Sequence, residues 1–221
     1  MFELDDYLQH LQSPDPNVRR NAAWNLGRFR DLRIIDPLLA CIDDLDNDVR
    51  LRVAESLGNL RDPKIVGPLL TRLQIEPEID IRTQLIASLG RQGQTDAMPA
   101  LFEVLTDLDP VIRAAAVEAI GEIGGDMTII DPLISVLFHD PDENTRYLAS
   151  KALARIGGTH TVDHLSAALG DPTIDAEARL KAIEILVQIG DRRARNAITP
   201  LKDSDDPLIA ETAAWALKQL T

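Results

Sequence analysis

Apolar residues along this chain recur in blocks, and the blocks repeat. Between Asp48 and Leu60 a stripe of apolar positions runs Val49, Val53, Ala54, Leu57 and Leu60, with polar or charged residues filling most of the gaps. That is the i, i+3, i+4, i+7 spacing that places one stripe on a single face of an α-helix. The same order returns at Ile81, Leu85, Ile86 and Leu89, and again at Ile112, Ala116, Val117 and Ile120. An arginine follows the first residue of each stripe, at Arg19, Arg50, Arg82, Arg113, Arg146 and Arg179, so the spacings are 31, 32, 31, 33 and 33 residues. A seventh copy follows 31 residues later with Ala210 in the arginine's place. A fixed period of this length is the signature of a stacked repeat protein.

Counted from the arginine as zero, alanine or glycine is common at +4 and +8, which lets neighbouring helices approach closely. Gly93, Gly124, Gly157 and Gly190 stand at +11, where a helix end favours a left-handed residue. A shorter helix then begins with proline near its first turn, at Pro37, Pro68, Pro99 and Pro132. Proline is tolerated there because its missing N–H would have no partner in any case. Each unit therefore reads helix, turn, helix. With a first short helix near Leu4 to Leu11, seven helix pairs are expected. The predicted fold is an all-α, right-handed helical-repeat solenoid spanning residues 1–221 as a single array. Each pair touches its neighbours, and stacking buries one continuous core.

Composition narrows the function classes. With 45% hydrophobic and 27% charged residues, the chain is too apolar to be disordered. No run approaches 18 apolar residues, so no membrane-spanning helix is expected. The start, Met1-Phe2-Glu3-Leu4-Asp5-Asp6, is acidic where a secretory signal needs a basic region. Cys41 is the only cysteine, which excludes an internal disulfide and fits a reducing compartment. A cytoplasmic protein is expected. The formal net charge of −13 disfavours nucleic acid and anionic membrane as partners, because phosphate neutralisation needs the opposite sign.

The repeating motif Asp-Pro-x-x-Val-Arg-x-x-Ala-x-x-x-Leu-Gly resembles the short HEAT-like repeat named after phycobilisome lyases. Ankyrin units would need a Thr-Pro-Leu-His turn in every copy, whereas Thr199-Pro200-Leu201 occurs once and lacks the histidine. The resemblance covers essentially the whole chain. In such families the Val-Arg helices line the concave side. Family members attach bilins to phycobiliproteins, remove them, or serve phycobilisome degradation. The resemblance thus implies an acidic protein partner of the phycobiliprotein class, held by a monomer or weak dimer. It requires no cofactor, although a bilin such as phycocyanobilin is a conceivable ligand. Two alternatives stay open: a lyase-like enzyme that detaches or attaches phycocyanobilin, and a HEAT scaffold for an unrelated complex. No compact catalytic motif matches, so no active site is carried over.

The repeated arginines, with Asp15, Asp46, Asp109, Asp140 and Asp171 in the turns ahead of them, are expected to be structural, bridging turn carboxylates and helix-end carbonyls. Specificity should lie at positions that vary between units. The exposed offsets of the Val-Arg helices, near +1, +2, +5 and +9, carry Arg20, Arg28, Arg52, Arg91, Lys151, Arg155 and Lys181 against Glu55, Glu118, Glu122 and Glu184. Seven bases against four acids predict a mildly basic groove inside an acidic shell, suited to steering an acidic partner. Trp24 and Trp215 both fall at +5. An exposed tryptophan is a frequent interface anchor; Trp24, beside Arg20 and Arg28, is read that way. Trp215 is read as a buried end cap, and Tyr147 at +1 is a third anchor. His160 and His164 have helical metal-pair spacing, but His160 is placed ahead of the helix and no metal is expected. Cys41 is read as a buried small residue on an outer helix.

Overall fold

The computed structural model describes residues 3–124, 127–171 and 173–221; Met1 and Phe2, where the signal-peptide reading begins, lie outside them. Among the described residues there are fourteen α-helices and no strand. They form the seven expected pairs: α1 (Leu4–His10) with α2 (Pro16–Leu26), α3 (Ile35–Leu39) with α4 (Asn47–Gly58), α5 (Val66–Ile75) with α6 (Ile79–Gln92), and α7 (Met98–Val104) with α8 (Pro110–Ile123). The remaining three are α9 (Ile130–His139) with α10 (Glu143–Ile156), α11 (Gly158–Ala168) with α12 (Ala176–Ile189), and α13 (Arg195–Ile198) with α14 (Pro207–Gln219). The pairs fall into two compact units, Met1–Ile123 with α1–α8 and Gly124–Thr221 with α9–α14.

The apolar stripes become the cores of these units. Val49, Val53, Ala54 and Leu57 have no exposed surface, nor have Leu85, Ile86 and Leu89. The short helices begin one turn earlier than the prolines suggest. Short 3-10 turns at Leu32–Ile34, Pro63–Ile65, Thr95–Ala97, Met127–Ile129 and Arg192–Ala194 run directly into α3, α5, α7, α9 and α13. Asp31, Asp62 and Asp191 cap three of them by accepting the N–H two residues on. Gly93 and Gly190 end α6 and α12 in the left-handed region, with φ of 69° and 76°.

In the first unit the glycine at +8 sets the distance between long helices. A Cβ on Gly27 would lie 2.3 Å from Ser56 Oγ, and one on Gly58 would lie 2.4 Å from Ser88 Oγ. Those hydroxyls are in place because each donates to the previous long helix, Ser56 to the carbonyl of Ala23 at 2.7 Å and Ser88 to that of Ala54 at 2.8 Å. A serine at +6 thus ties one helix to the next. In the second unit the +8 positions are Ala154 and Val187, so this device is confined to the first.

The repeated arginines clamp successive turns together. Arg19 donates to the carbonyls of Ser13 and Pro14 in its own turn, and in bidentate fashion to the Asp44 carboxylate of the next, at 2.7 and 2.8 Å. Arg50 does the same with the carbonyls of Asp44 and Leu45 and the Glu76 carboxylate; Arg82 reaches Asp107. The acceptor is therefore the acid at −6 of the following unit. Asp15, Asp46 and Asp109 instead cap the long helices, accepting from Asn17, Val49 and Val111. The turn carries two acids with separate work, and the expectation of a single one is corrected.

Ser13 and Ser204 occupy the −6 position in the first and last units. No arginine precedes Ser13, but Ser204 is the register partner of Arg179. Arg179 donates to the carbonyl of Asp171, while its Nε is buried without a hydrogen-bond partner. An unsatisfied buried donor costs about 1–3 kcal/mol. Replacing Ser204 with aspartate is expected to supply the missing acceptor and stabilise the second unit by about 1–2 kcal/mol. A urea midpoint that fails to rise would show that the register does not bring the two side chains together.

Candidate functional site

Helix α2 buries Ala22, Ala23 and Leu26, which turns Arg20 and Trp24 to the opposite face, and Arg28 is exposed just past the helix end. Trp24 is 45% exposed, and the Arg28 guanidinium carbon lies 5.3 Å from its ring centroid. At that distance cation–π attraction, about 0.5–1 kcal/mol at an exposed site, favours stacking of the two side chains. Arg20 pairs with Asp48 of α4 at 2.9 Å and also donates to the side-chain oxygen of Asn17 at 3.0 Å. Arg52 pairs with Glu55 at 2.7 Å. Asn17, Arg20, Asn21, Trp24, Asp48 and Arg52 together line a groove of about 500 Å³. Farther along the same unit, Arg91 donates to Asn59 at 3.1 Å and lines a second hollow together with Glu122.

The second unit repeats the theme on α10. Tyr147 is 51% exposed, with Lys151 Nζ 5.5 Å from its ring centroid. A cleft of about 340 Å³ lies beside it, lined by Leu137, Glu143, Asn144, Arg146, Tyr147, Glu177, Ala178 and Lys181. Lys181 pairs with Glu184 at 3.1 Å, and Arg146 with Glu177 at 3.2 Å. Arg155 is exposed on the last turn of α10, away from the lining of the cleft.

The nine candidate residues thus gather into a Trp24 cluster with Arg20, Arg28 and Arg52, a Tyr147 cluster with Lys151 and Lys181, and the separate Arg91 and Arg155. Three carboxylates that the offsets left out, Asp48, Glu143 and Glu177, stand among them. They sit at −2 or −3, one helical turn below the +1 and +2 bases, so i, i+3 and i, i+4 spacing could have found them. Charge along these grooves is interleaved rather than uniformly basic. Exposed pairs of this kind are worth little to stability, about 0–1 kcal/mol, so the bases in them can change partners at small cost. Aromatic faces flanked by cations and carboxylates are equipped to bind a polar protein surface.

Trp215 is 45% exposed, as much as Trp24. It does not cap the core; Ala213, Ala216 and Leu220 close that end of the unit. His160 lies in the first turn of α11 rather than ahead of it. The chain re-enters a helix at once because Gly157 and Gly158 adopt positive φ, 58° and 78°, a conformation open to glycine without steric cost. His164 Nδ1 contacts Asp131 at 2.5 Å, and no group of three metal-ligating side chains occurs among the described residues. Cys41 is buried, as expected, but sits in the turn just past α3. Burial pushes its thiol pKa up.

A phycocyanin operon protein, called protein Z, of Pseudanabaena tenuis is 26% identical over 198 residues, covering 85% of this chain and 96% of that protein. Deoxyhypusine hydroxylase of Arabidopsis thaliana is 38% identical over 80 residues, 34% of this chain and 24% of that enzyme. Among solved structures, the complex of CpcE and CpcF of phycocyanin lyase from Nostoc matches with a TM-score of 0.60 at 23% identity, covering 100% of this chain and 96% of that one; at that identity the likeness is one of fold. The sequence profile for HEAT repeats matches residues 4–90, 66–129, 98–180 and 130–218. The matched ranges together span residues 4–218, so the chain belongs to the HEAT-repeat family, and its repeats are similar to those of the phycobilisome-lyase type.

Proposed function

We propose that this protein is a cytoplasmic, protein-binding repeat factor that engages a phycobiliprotein, in phycobilisome degradation or in bilin handling. The observation that carries the reading is the similarity to a phycocyanin operon protein along nearly the full length of both chains. The exposed Trp24–Arg28 and Tyr147–Lys151 pairs supply anchors of the kind that concentrate binding energy. Reading residues 1–221 as one array rests on the unbroken repeat period. Among the described residues no helix is long and apolar enough to cross a membrane. The phycobilisome degradation protein NblB, which the chain resembles in being built of repeats throughout, points to the degradation branch. The fold match to the CpcE–CpcF complex favours the second reading, a factor that holds a bilin while it is attached or removed.

Mixing the protein with chromophorylated phycocyanin tests both. A binding factor should form a complex without changing the bilin absorbance; bleaching or a spectral shift moves the reading to bilin handling. Reversing Arg20, Arg28 and Arg52 to glutamate while replacing Trp24 by alanine should weaken binding about 100-fold or more, as loss of an aromatic anchor and of electrostatic steering would. Unchanged affinity in that variant would remove the Trp24 groove from the interface.

A further inference from the structure

The arginine clamps have a consequence along the turn edge of the first unit. Arg19 and Arg50 each join the carbonyls of one turn to a carboxylate of the next, and Arg82 continues the series to Asp107. The four turns are therefore fastened side by side along one edge. The residue after the clamp position, Pro14, Leu45, Pro77 or Leu108, is held there; in three of the four its carbonyl lies towards an arginine, Leu108 through Arg113. Its side chain is left facing outward. Proline suits a turn for conformational reasons. Leucine has no such reason, yet Leu45 and Leu108 are both 98% exposed. Ile79 and Val111, in the first turns of α6 and α8, add apolar surface at 44% and 54% exposure. A leucine exposed singly would need no explanation, but two at the same repeat position, both almost wholly exposed, form a recurring outward feature.

The charge of this edge is of one sign. Residues 43–49, 75–81 and 106–112 contain no lysine or arginine. Asp44, Glu76 and Asp107 are neutralised by the clamps, Asp43 by Arg72 and Asp48 by Arg20. Among the described residues Asp46, Glu78, Asp80 and Asp109 make no ion pair, and they alternate with the apolar side chains.

We propose that this turn edge is a second docking surface, for a cationic amphipathic helix of a partner protein. Its apolar stripe seats on Leu45 and Leu108, and its lysines or arginines meet Asp46, Glu78, Asp80 and Asp109. Packed helix pairs are about 10 Å apart, so the two leucines, two units apart, are separated by about 20 Å. At a rise of 1.5 Å per residue a helix of about 14 residues spans that distance. This surface is separate from the Trp24 groove and calls for the opposite charge in its partner, so it stands or falls independently of the phycobiliprotein reading.

The test uses the full chain and a labelled 18-residue synthetic helix carrying leucine on one face and lysine elsewhere, with binding followed by fluorescence anisotropy. The intact protein should bind it. The double variant Leu45→Ser, Leu108→Ser should weaken binding at least ten-fold with an unchanged thermal midpoint; the double variant Glu78→Lys, Asp80→Lys, measured well below its own midpoint because lysines at the start of α6 lower it, should weaken binding as much, while Trp24→Ala binds normally. No binding to the intact protein, equal binding of a leucine-free lysine peptide, or wild-type affinity in the leucine variant would each overturn the proposal. So would concentration-dependent dimers in sedimentation that vanish in the leucine variant, since the occupant would then be a second copy of this chain.

Discussion

Replacing Glu76 with alanine should destabilise the first unit by about 3–5 kcal/mol, the cost of leaving a buried charge without its partner. The Glu76 side chain is fully buried and accepts from Arg50 Nε at 2.9 Å and Nη2 at 3.1 Å, and from Arg72 at 2.9 and 2.7 Å. Arg50 is itself only 6% exposed, so it cannot recover its hydration when the carboxylate is gone. The same residue makes stability depend on pH. Burial works against the charged form of Glu76, Asp44 and Asp107, but the bonds from Arg50 and Arg72, from Arg19 and from Arg82, joined by backbone N–H groups, outweigh it and hold all three carboxyls below their usual range. A carboxyl whose pKa is lower in the folded state binds fewer protons there than in the unfolded chain. Its stabilising contribution is therefore complete above the unfolded values of 4.5 for glutamate and 3.8 for aspartate. It is lost as pH falls through the folded values. Urea midpoints measured from pH 7 to pH 3 should drop at the acid end, and Glu76→Gln should flatten that drop. A Glu76→Ala midpoint equal to wild type would mean that the clamp contributes nothing net.

Gly58→Ala should cost about 1–3 kcal/mol, the price of overpacking a close helix contact, although alanine is the better helix former by about 1 kcal/mol. The new Cβ would meet Ser88 Oγ at 2.4 Å, Ser88 Cβ at 2.9 Å and the Arg91 guanidinium carbon at 3.1 Å. Ser88 cannot simply rotate aside, because its hydroxyl donates to the carbonyl of Ala54 and its own Cβ is part of the clash. Removing that Cβ as well, in Gly58→Ala with Ser88→Gly, should recover part of the loss, and the double-mutant cycle measures the coupling directly. Additive losses would show that the two helices separate at little cost and that the +8 glycine is dispensable.

The seven helix pairs were legible in the sequence because the apolar stripe has the helical period and because short-range signals agree with it. Aspartate caps stand before the long helices, proline falls in the first α-turn of the short ones, and glycine closes Gly93 and Gly190 in the left-handed region. Each of these acts over a few residues of chain, so no knowledge of neighbours is needed. The roles of the turn acids were not legible in the same way. Asp44 and Asp46 are two residues apart and chemically identical; only the packing of the next unit decides that one meets Arg19 while the other caps α4. The exposure of Trp215 likewise depends on how Ala213, Ala216 and Leu220 fill the end of the core. The Val-Arg helix faces placed Trp24, Arg20 and Arg52 correctly beside one another. Asp48 shares their face by its i, i+4 spacing to Arg52, but its pairing with Arg20 of α2 was decided by the stacking of one unit on the next. Periodicity thus determined which face each residue occupies, while the partner it meets on that face was decided by the stacking of one repeat on the next.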